Sequence, residues 1–264
     1  MYPTIDLGIV RIPLYITLFL IGFVLMVVWA RKIAERYNYP KADILYLSLY
    51  SGIGILIGAK IMYFVSKLPI IIPNFDVYIE YWKTNPTGAL NYSFGGLVFY
   101  GGLIGALLAY LFYCKWFKVD FGSLINIISP VIPLVHSFGR IGCFLGGCCY
   151  GIEYHGKFAV QFPENEFVEG LNACERFPVQ LLEAFINLLL FFFLFYFARK
   201  IRKPGTILGI YLICYSIIRF SVEFLRGDVE RGILFGVSTS QWISLLLIPI
   251  GIYLIIRKLK PNNE

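Results

Sequence analysis

Apolar runs of membrane-spanning length recur along this chain, and they constrain its fold more than any other feature. A helix rises about 1.5 Å per residue, so about 20 apolar residues cross the hydrocarbon core of a bilayer. Such runs lie at Leu14–Ala30, Leu45–Val65, Gly95–Phe117, Leu124–Phe138, Leu181–Ala198, Ile207–Leu225 and Trp242–Ile256. A soluble fold is excluded by composition: 58% of the 264 residues are hydrophobic and 15% charged. Soluble domains carry about 25% charged residues, and a chain this apolar has too little polar surface to cover a core. The expectation is an all-α integral membrane protein with about seven transmembrane helices, a single membrane domain over 1–264.

The fourth run is short and holds Pro130 and Pro133. Each proline removes a backbone donor that lipid cannot replace, so this span is expected inside the bundle. The first run has no basic stretch before it and no small-residue cleavage site after it, which argues against a signal peptide. Basic residues gather in alternate connections: Arg31, Lys32, Arg36 and Lys41; Lys115 and Lys118; Arg199, Lys200, Arg202 and Lys203; Arg257, Lys258 and Lys260. The positive-inside rule makes that side cytoplasmic. An odd number of spans then sets the N-terminus outside and the C-terminus in the cytoplasm. The net charge of +7 is thereby explained by topology, not by a continuous nucleic-acid footprint.

The long connections fall on the outer side, at Ser66–Tyr92 and Gly139–Pro178. The second carries Glu153, Glu164, Glu166, Glu169 and Glu175 and reads as a small extracytoplasmic subdomain (139–178) between spans four and five. Its Lys157–Phe162 piece has weak strand character. Gly54 and Gly58, and Gly101 and Gly105, have the four-residue spacing that lets helices approach closely in lipid. The pairs Gly95-Gly96 and Gly101-Gly102 bracket Tyr100 and predict a broken helix lining a cavity.

Charges at membrane depth cost several kcal/mol and usually mark function. Arg140 follows the fourth run; Arg219 and Glu223 sit four apart, with Arg226 a turn further; Lys60 lies in the second run. Structural readings compete with functional ones: Arg219–Glu223 as a self-neutralising pair, Lys60 as a residue snorkelling to the outer interface. Arg140 stands in Gly139-Arg140-Ile141-Gly142-Cys143-Phe144-Leu145-Gly146-Gly147-Cys148-Cys149-Tyr150-Gly151, read here as a glycine-rich loop at the outer membrane edge. An arginine fork there suits the phosphate of a lipid head group, and Arg219 is a second cation for it.

These residues resemble the prolipoprotein diacylglyceryl transferase family. The segment 139–151 matches its signature Gly-Arg-x-Gly-Asn-Phe-x-Asn-x-Glu-x-x-Gly at Gly139, Arg140, Gly142, Phe144 and Gly151. Gly95–Gly102 resembles its GGLxFHGG segment, Arg176–Glu183 its RxPxQLYE segment, and Arg219–Arg226 its late arginine helix. Tyr15 is similar to the tyrosine of its opening WYG. The resemblance implies transfer of a diacylglyceryl group from phosphatidylglycerol to the lipobox cysteine thiol of a preprolipoprotein signal peptide. Glycerol phosphate is the co-product, the site is the bacterial plasma (inner) membrane, and no cofactor or metal is needed. It implies phosphate-binding roles for Arg140 and Arg219, with Glu223 orienting Arg219; Tyr100, at the position of the family's histidine, and His136, near Arg140 in sequence, complete the candidate catalytic set. Substrate contacts are implied at Tyr15, Gly142, Cys143, Cys148, Gly151, Gln180 and Arg226. The partners implied are phosphatidylglycerol, preprolipoproteins and membrane lipids, with no nucleic acid.

The chain departs from the family pattern where chemistry is expected. Cys143 and Gly146 replace asparagines, Cys148 replaces a glutamate, and Tyr100 stands where a histidine is expected between the glycine pairs. Tyrosine, with an ordinary pKa of about 10, is a poor base at neutral pH. The segment is similar to the GRIGCFxxGCCYG form of a sub-branch of the family. His136, four residues before Arg140, is a substitute base or a structural hydrogen-bonding residue; His155 reads as solvated. Cys114 and Cys214 read as small apolar residues. For Cys143, Cys148, Cys149 and Cys174, three readings stay open: a disulfide, packed free thiols, or a reactive or metal-binding cluster, although C-x4-C-C matches no common zinc spacing. A paralogue using another lipid-derived group or acceptor is the alternative function. A transporter lacks the expected inverted repeat, and a thiol oxidoreductase lacks a CxxC pair.

Overall fold

The structure is a computed structural model that describes residues 4–6, 11–164, 170–201, 203–228 and 232–257. Glu166, Glu169, Arg202, Lys258, Lys260 and the tail Pro261–Glu264 lie outside the described residues. Strands β1 (Thr4–Asp6) and β2 (Arg11–Pro13) pair antiparallel, Thr4 opposite Pro13, ahead of α1 (Leu14–Arg36). Then come α2 (Lys41–Ile71), α3 (Phe75–Thr84), α4 (Pro86–Phe94), α5 (Phe99–Trp116), α6 (Phe121–Ile128) and α7 (Ile132–Gly146). After an irregular segment follow α8 (Val179–Ala198), α9 (Thr206–Val222), the short hairpin β3 (Ile233–Leu234) and β4 (Val237–Ser238), and α10 (Thr239–Ile256). Six helical stretches are long and apolar enough to cross a membrane. They become seven if α4 and α5, bent by 78° at their junction, form one broken span. The protein is an all-α membrane protein, and the break falls at Gly95–Val98, at the first of the two glycine pairs; Tyr100 and the second pair, Gly101-Gly102, lie inside α5, where Gly101 packs against Gly58.

The residues form two compact units: 1–39 with 122–264, and 40–121. In the smaller unit α2 packs along α5 through the four glycines. A Cβ at Gly58 would lie 2.2 Å from the Gly101 carbonyl oxygen, and one at Gly105 would lie 2.0 Å from that of Gly54, so only hydrogens fit. Lys60 donates to the Phe94 carbonyl at the end of α4; it satisfies backbone at the break and does not simply snorkel. The expected connection Ser66–Tyr92 is mostly helical, with α2 running past Pro69 to Ile71 before α3 and α4.

In the larger unit α1 packs on α7, α7 on α8, α8 on α9, and α9 on α10. The fourth span is not short: it runs as one 23-residue stretch, Leu124–Gly146, and half of it is buried. Pro130 sits in a 3-10 turn, Ser129–Val131, where α6 hands over to α7, and Pro133 lies in the first turn of α7, where its missing N–H costs no helical bond. Its buried polar groups are used between helices: the Ser137 hydroxyl donates to the Ala184 carbonyl (2.8 Å), and the Asn126 amide to that of Lys203 (2.8 Å). Burial of this span inside its unit agrees with the proline argument. α10 opens with a capping box between Ser238 and Gln241.

The segment after α7 is held by backbone pairing. Ile152 N–H donates to Leu225 O, Gly227 N–H to Tyr150 O, and Phe177 N–H to Ile152 O, each at 3.0 Å. Val160 and Arg176 exchange two further bonds of 3.0 Å, so strand character at Lys157–Phe162 is reduced to one isolated bridge.

Candidate active site

Arg140 is not in a loop. It lies on the third turn of α7, because the helix continues through Gly139, Gly142 and Gly146. Glycine in a helix costs about 1 kcal/mol, and here close packing requires it: a Cβ on Gly142 would lie 3.1 Å from the Cα of Tyr15. Tyr15, on the first turn of α1, thus abuts the signature segment. Gly142 is buried and serves helix packing here.

One carboxylate organises the cluster. Glu183, 1% exposed, projects from α8. Its Oε1 lies 3.1 Å from Arg140 Nε and 3.5 Å from His136 Nε2; its Oε2 lies 3.8 Å from Arg219 Nη1. Arg219 reaches Glu223 Oε2 at 2.6 Å and donates to the Ser240 hydroxyl on α10 at 2.9 Å. The two arginines of the sequence reading are therefore brought together, and Glu223 orients Arg219. The pair is neither a mere local bridge nor isolated, since Glu183 couples it to Arg140. Arg140 Nε also donates to His136 Nε2 at 3.3 Å. That nitrogen is consequently an acceptor already in use, and His136 orients Arg140 before it can serve as a base.

The remaining expected residues divide. Gln180, fully buried, donates through Nε2 to the Cys148 carbonyl at 2.9 Å and so fixes the loop. Gly151 is a close crossing, where a Cβ would lie 2.2 Å from the Phe177 carbonyl oxygen. Arg226 pairs with Asp228 and bridges by backbone to Gly151. Tyr100, 46% exposed, belongs to the first turn of α5 in the other unit. His155 is exposed and sits 3.1 Å from Glu153.

All six cysteines are free thiols. Those of Cys143, Cys148 and Cys149 lie within 4.8 Å of one another. The helix end explains this. Gly147 is left-handed (φ 73°), and the chain closes on itself with Cys148 N–H to Cys143 O (3.1 Å) and Gly147 N–H to Phe144 O (3.3 Å). This six-to-one, five-to-two cap sets residue 148 against residue 143. Cys149, also at positive φ (55°), turns the third thiol inward. Its thiol is pulled below the ordinary range by hydrogen bonds from Cys143 and Cys148, and by Arg140 and Arg226.

Two buried arginines balanced by carboxylates, beside a thiol cluster in a multi-span helical protein, form a charged site of the kind that usually marks function in a membrane protein. Comparison with known proteins gives the particular family. The model of the prolipoprotein diacylglyceryl transferase family matches residues 3–257, so the chain belongs to that family. It is similar to the phosphatidylglycerol–prolipoprotein diacylglyceryl transferase of Clostridium tetani, 33% identical over 88% of each chain. That of Rickettsia bellii is 34% identical over 96% of this chain and 93% of its own. That of Idiomarina loihiensis is 33% identical over 84% and 79%.

Proposed function

We propose that this protein moves the diacylglyceryl group of phosphatidylglycerol to the lipobox cysteine thiol of preprolipoproteins, the first step of lipoprotein maturation. The Arg140–Glu183–Arg219–Glu223 cluster carries the reading. Two guanidinium groups tied to one buried carboxylate present donors in fixed positions to a phosphodiester. They stabilise the charge that develops on oxygen as the carbon–oxygen bond to phosphate breaks. Sulfur of the acceptor forms the new bond to that carbon, and glycerol phosphate leaves with the electron pair. His136 holds Arg140, Glu223 holds Arg219, and Tyr15, Cys143, Cys148, Gly151, Gln180 and Arg226 shape the outer mouth. Tyr100 contributes a hydroxyl to the lipid, not a base. The chain acts as a single membrane domain of the bacterial inner membrane. Its N-terminus and the 147–178 segment are outside, and its C-terminus is in the cytoplasm.

Depletion of the resident transferase in a bacterial host, with this chain expressed in its place, tests the proposal. Labelled lipid is expected on a test lipoprotein, and Arg140→Ala is expected to abolish it. Absence of label from protein shown to be folded in the membrane refutes it. The replacements at Cys143, Gly146, Cys148 and Tyr100 favour one alternative, a paralogue with a different acceptor. That reading predicts label on another membrane protein and none on the lipobox cysteine.

A further inference from the structure

We propose that Cys143, Cys148 and Cys149 form a three-thiolate zinc site whose fourth coordination position receives the acceptor thiol. The inference rests on the transferase reading and deepens it.

Among the described residues these three thiols are the one group close enough to share an ion. Zinc–sulfur bonds of about 2.3 Å in a tetrahedron set neighbouring sulfurs ~3.8 Å apart. The observed separations, all within 4.8 Å, need only small rotations about χ1 to meet that. Sulfur ligands select a soft or borderline cation over magnesium or calcium. Three thiolates and Zn²⁺ sum to one negative charge, and the Arg140 and Arg226 guanidinium groups lie within electrostatic reach of Cys149. The ligand-bearing backbone is held independently of any metal, by the cap at Gly147, by Gln180 on the Cys148 carbonyl, and by Gly227 on the Tyr150 carbonyl. Structural zinc sites close with four protein ligands, whereas reactive ones hold three and keep a position open. The sequence spacing hides this site because the helix cap, not a C-x2-C turn, brings the sulfurs together.

The chemistry has a place for such an ion. The acceptor must react as thiolate, and Tyr100 and the engaged His136 leave no evident base. A lipobox thiol entering the fourth position loses its proton to solvent and becomes a zinc-bound thiolate, still nucleophilic at carbon. Its sulfur attacks the glyceryl carbon as the bond to the phosphate oxygen breaks. Arg140 and Arg219 receive the leaving phosphate, and the thioether, a weak ligand, departs from zinc.

The test uses the full chain in detergent, with two readouts. Metal analysis after gel filtration is expected to give about one zinc per chain, by the three-ligand assignment. Cobalt(II) added to metal-free protein is expected to give a thiolate-to-metal charge-transfer band and tetrahedral ligand-field bands. Both are lost in Cys148→Ser and Cys149→Ser, and both are kept in Cys174→Ala, whose thiol lies outside the group. Addition of a lipobox peptide is expected to shift the ligand-field bands. Chelation is expected to slow lipid transfer by about 100-fold or more, the size of an activating base, with zinc but not magnesium restoring it. Transfer that persists unchanged in metal-free protein without a cobalt spectrum overturns the zinc site and leaves the transferase reading intact. A Cys143–Cys148 disulfide in protein isolated without reductant also overturns it. A cobalt spectrum that ignores lipobox peptide, in protein without transfer, counts against the transferase reading and the acceptor role together.

Discussion

Replacing Glu183 by glutamine tests whether one carboxylate holds both arginines. The side chain keeps its size and an accepting oxygen but loses its charge. At an effective dielectric of about 20, the attraction to Arg140 at 3.1 Å amounts to about 5 kcal/mol and that to Arg219 at 3.8 Å to about 4 kcal/mol. Removing a carboxylate that is 1% exposed also removes its desolvation cost, which cancels much of that sum. Breaking a buried pair from one side leaves a net loss of about 3–5 kcal/mol. For a chain of this size that lowers the thermal midpoint by about 10 °C. The assay pairs thermal unfolding in detergent with transfer of labelled phosphatidylglycerol lipid to a lipobox peptide. Rate is expected to fall about 100-fold, since the arginines lose their fixed aim. The double variant Glu183→Gln with Arg140→Gln restores the charge count and is expected to regain stability without regaining transfer. A Glu183→Gln protein that melts within about 2 °C of the parent and transfers at the parental rate refutes the reasoning.

Other outcomes follow from the same geometry. Arg219→Lys keeps the charge but cannot hold Glu183, Glu223 and Ser240 at once, so transfer is expected to drop about 100-fold in kcat with the melting point nearly kept. Gly151→Ala drives a methyl toward the Phe177 carbonyl at 2.2 Å and is expected to cost about 1–3 kcal/mol, read as faster proteolysis of the 147–178 segment. Gly58→Ala opposes the Gly101 carbonyl at 2.2 Å and is expected to cost a similar amount by thermal unfolding, without changing the KM of the folded fraction. Tyr100→Phe is expected to keep transfer within about tenfold, because a hydroxyl that only binds lipid contributes about 1 kcal/mol; a loss of 100-fold or more makes it catalytic.

The spans were readable because lipid permits few alternatives to an apolar helix, yet their ends were not. α1 runs to Arg36 and α2 to Ile71, since polar residues beyond the hydrocarbon continue a helix as readily as they end it. The signature segment misled for a local reason: its glycines suggest a loop, but Gly142 is glycine because Tyr15 lies against it, and the helix reaches Gly146. Arg140, Arg219 and Glu223 were visible as charges in apolar surroundings. Glu183 met the same criterion, as the lone charged residue of Val179–Ala198, and was passed over because it read as part of a motif. Meeting of the three thiols depends on one left-handed glycine, a conformational fact that spacing alone does not carry.

Counting charge around Glu183 has a consequence for turnover. The arginines at 140 and 219 face the carboxylates at 183 and 223, so the resting cluster is electrically neutral and can stay buried without a counter-ion. A phosphodiester brings one negative charge, within what two guanidinium forks accommodate. Cleavage turns it into a phosphomonoester, which approaches two negative charges at neutral pH. On the proposed transferase reading, the carboxylates at 183 and 223 then repel the product more strongly than the substrate, so the ion balance that admits the lipid also favours release of what remains of its head group.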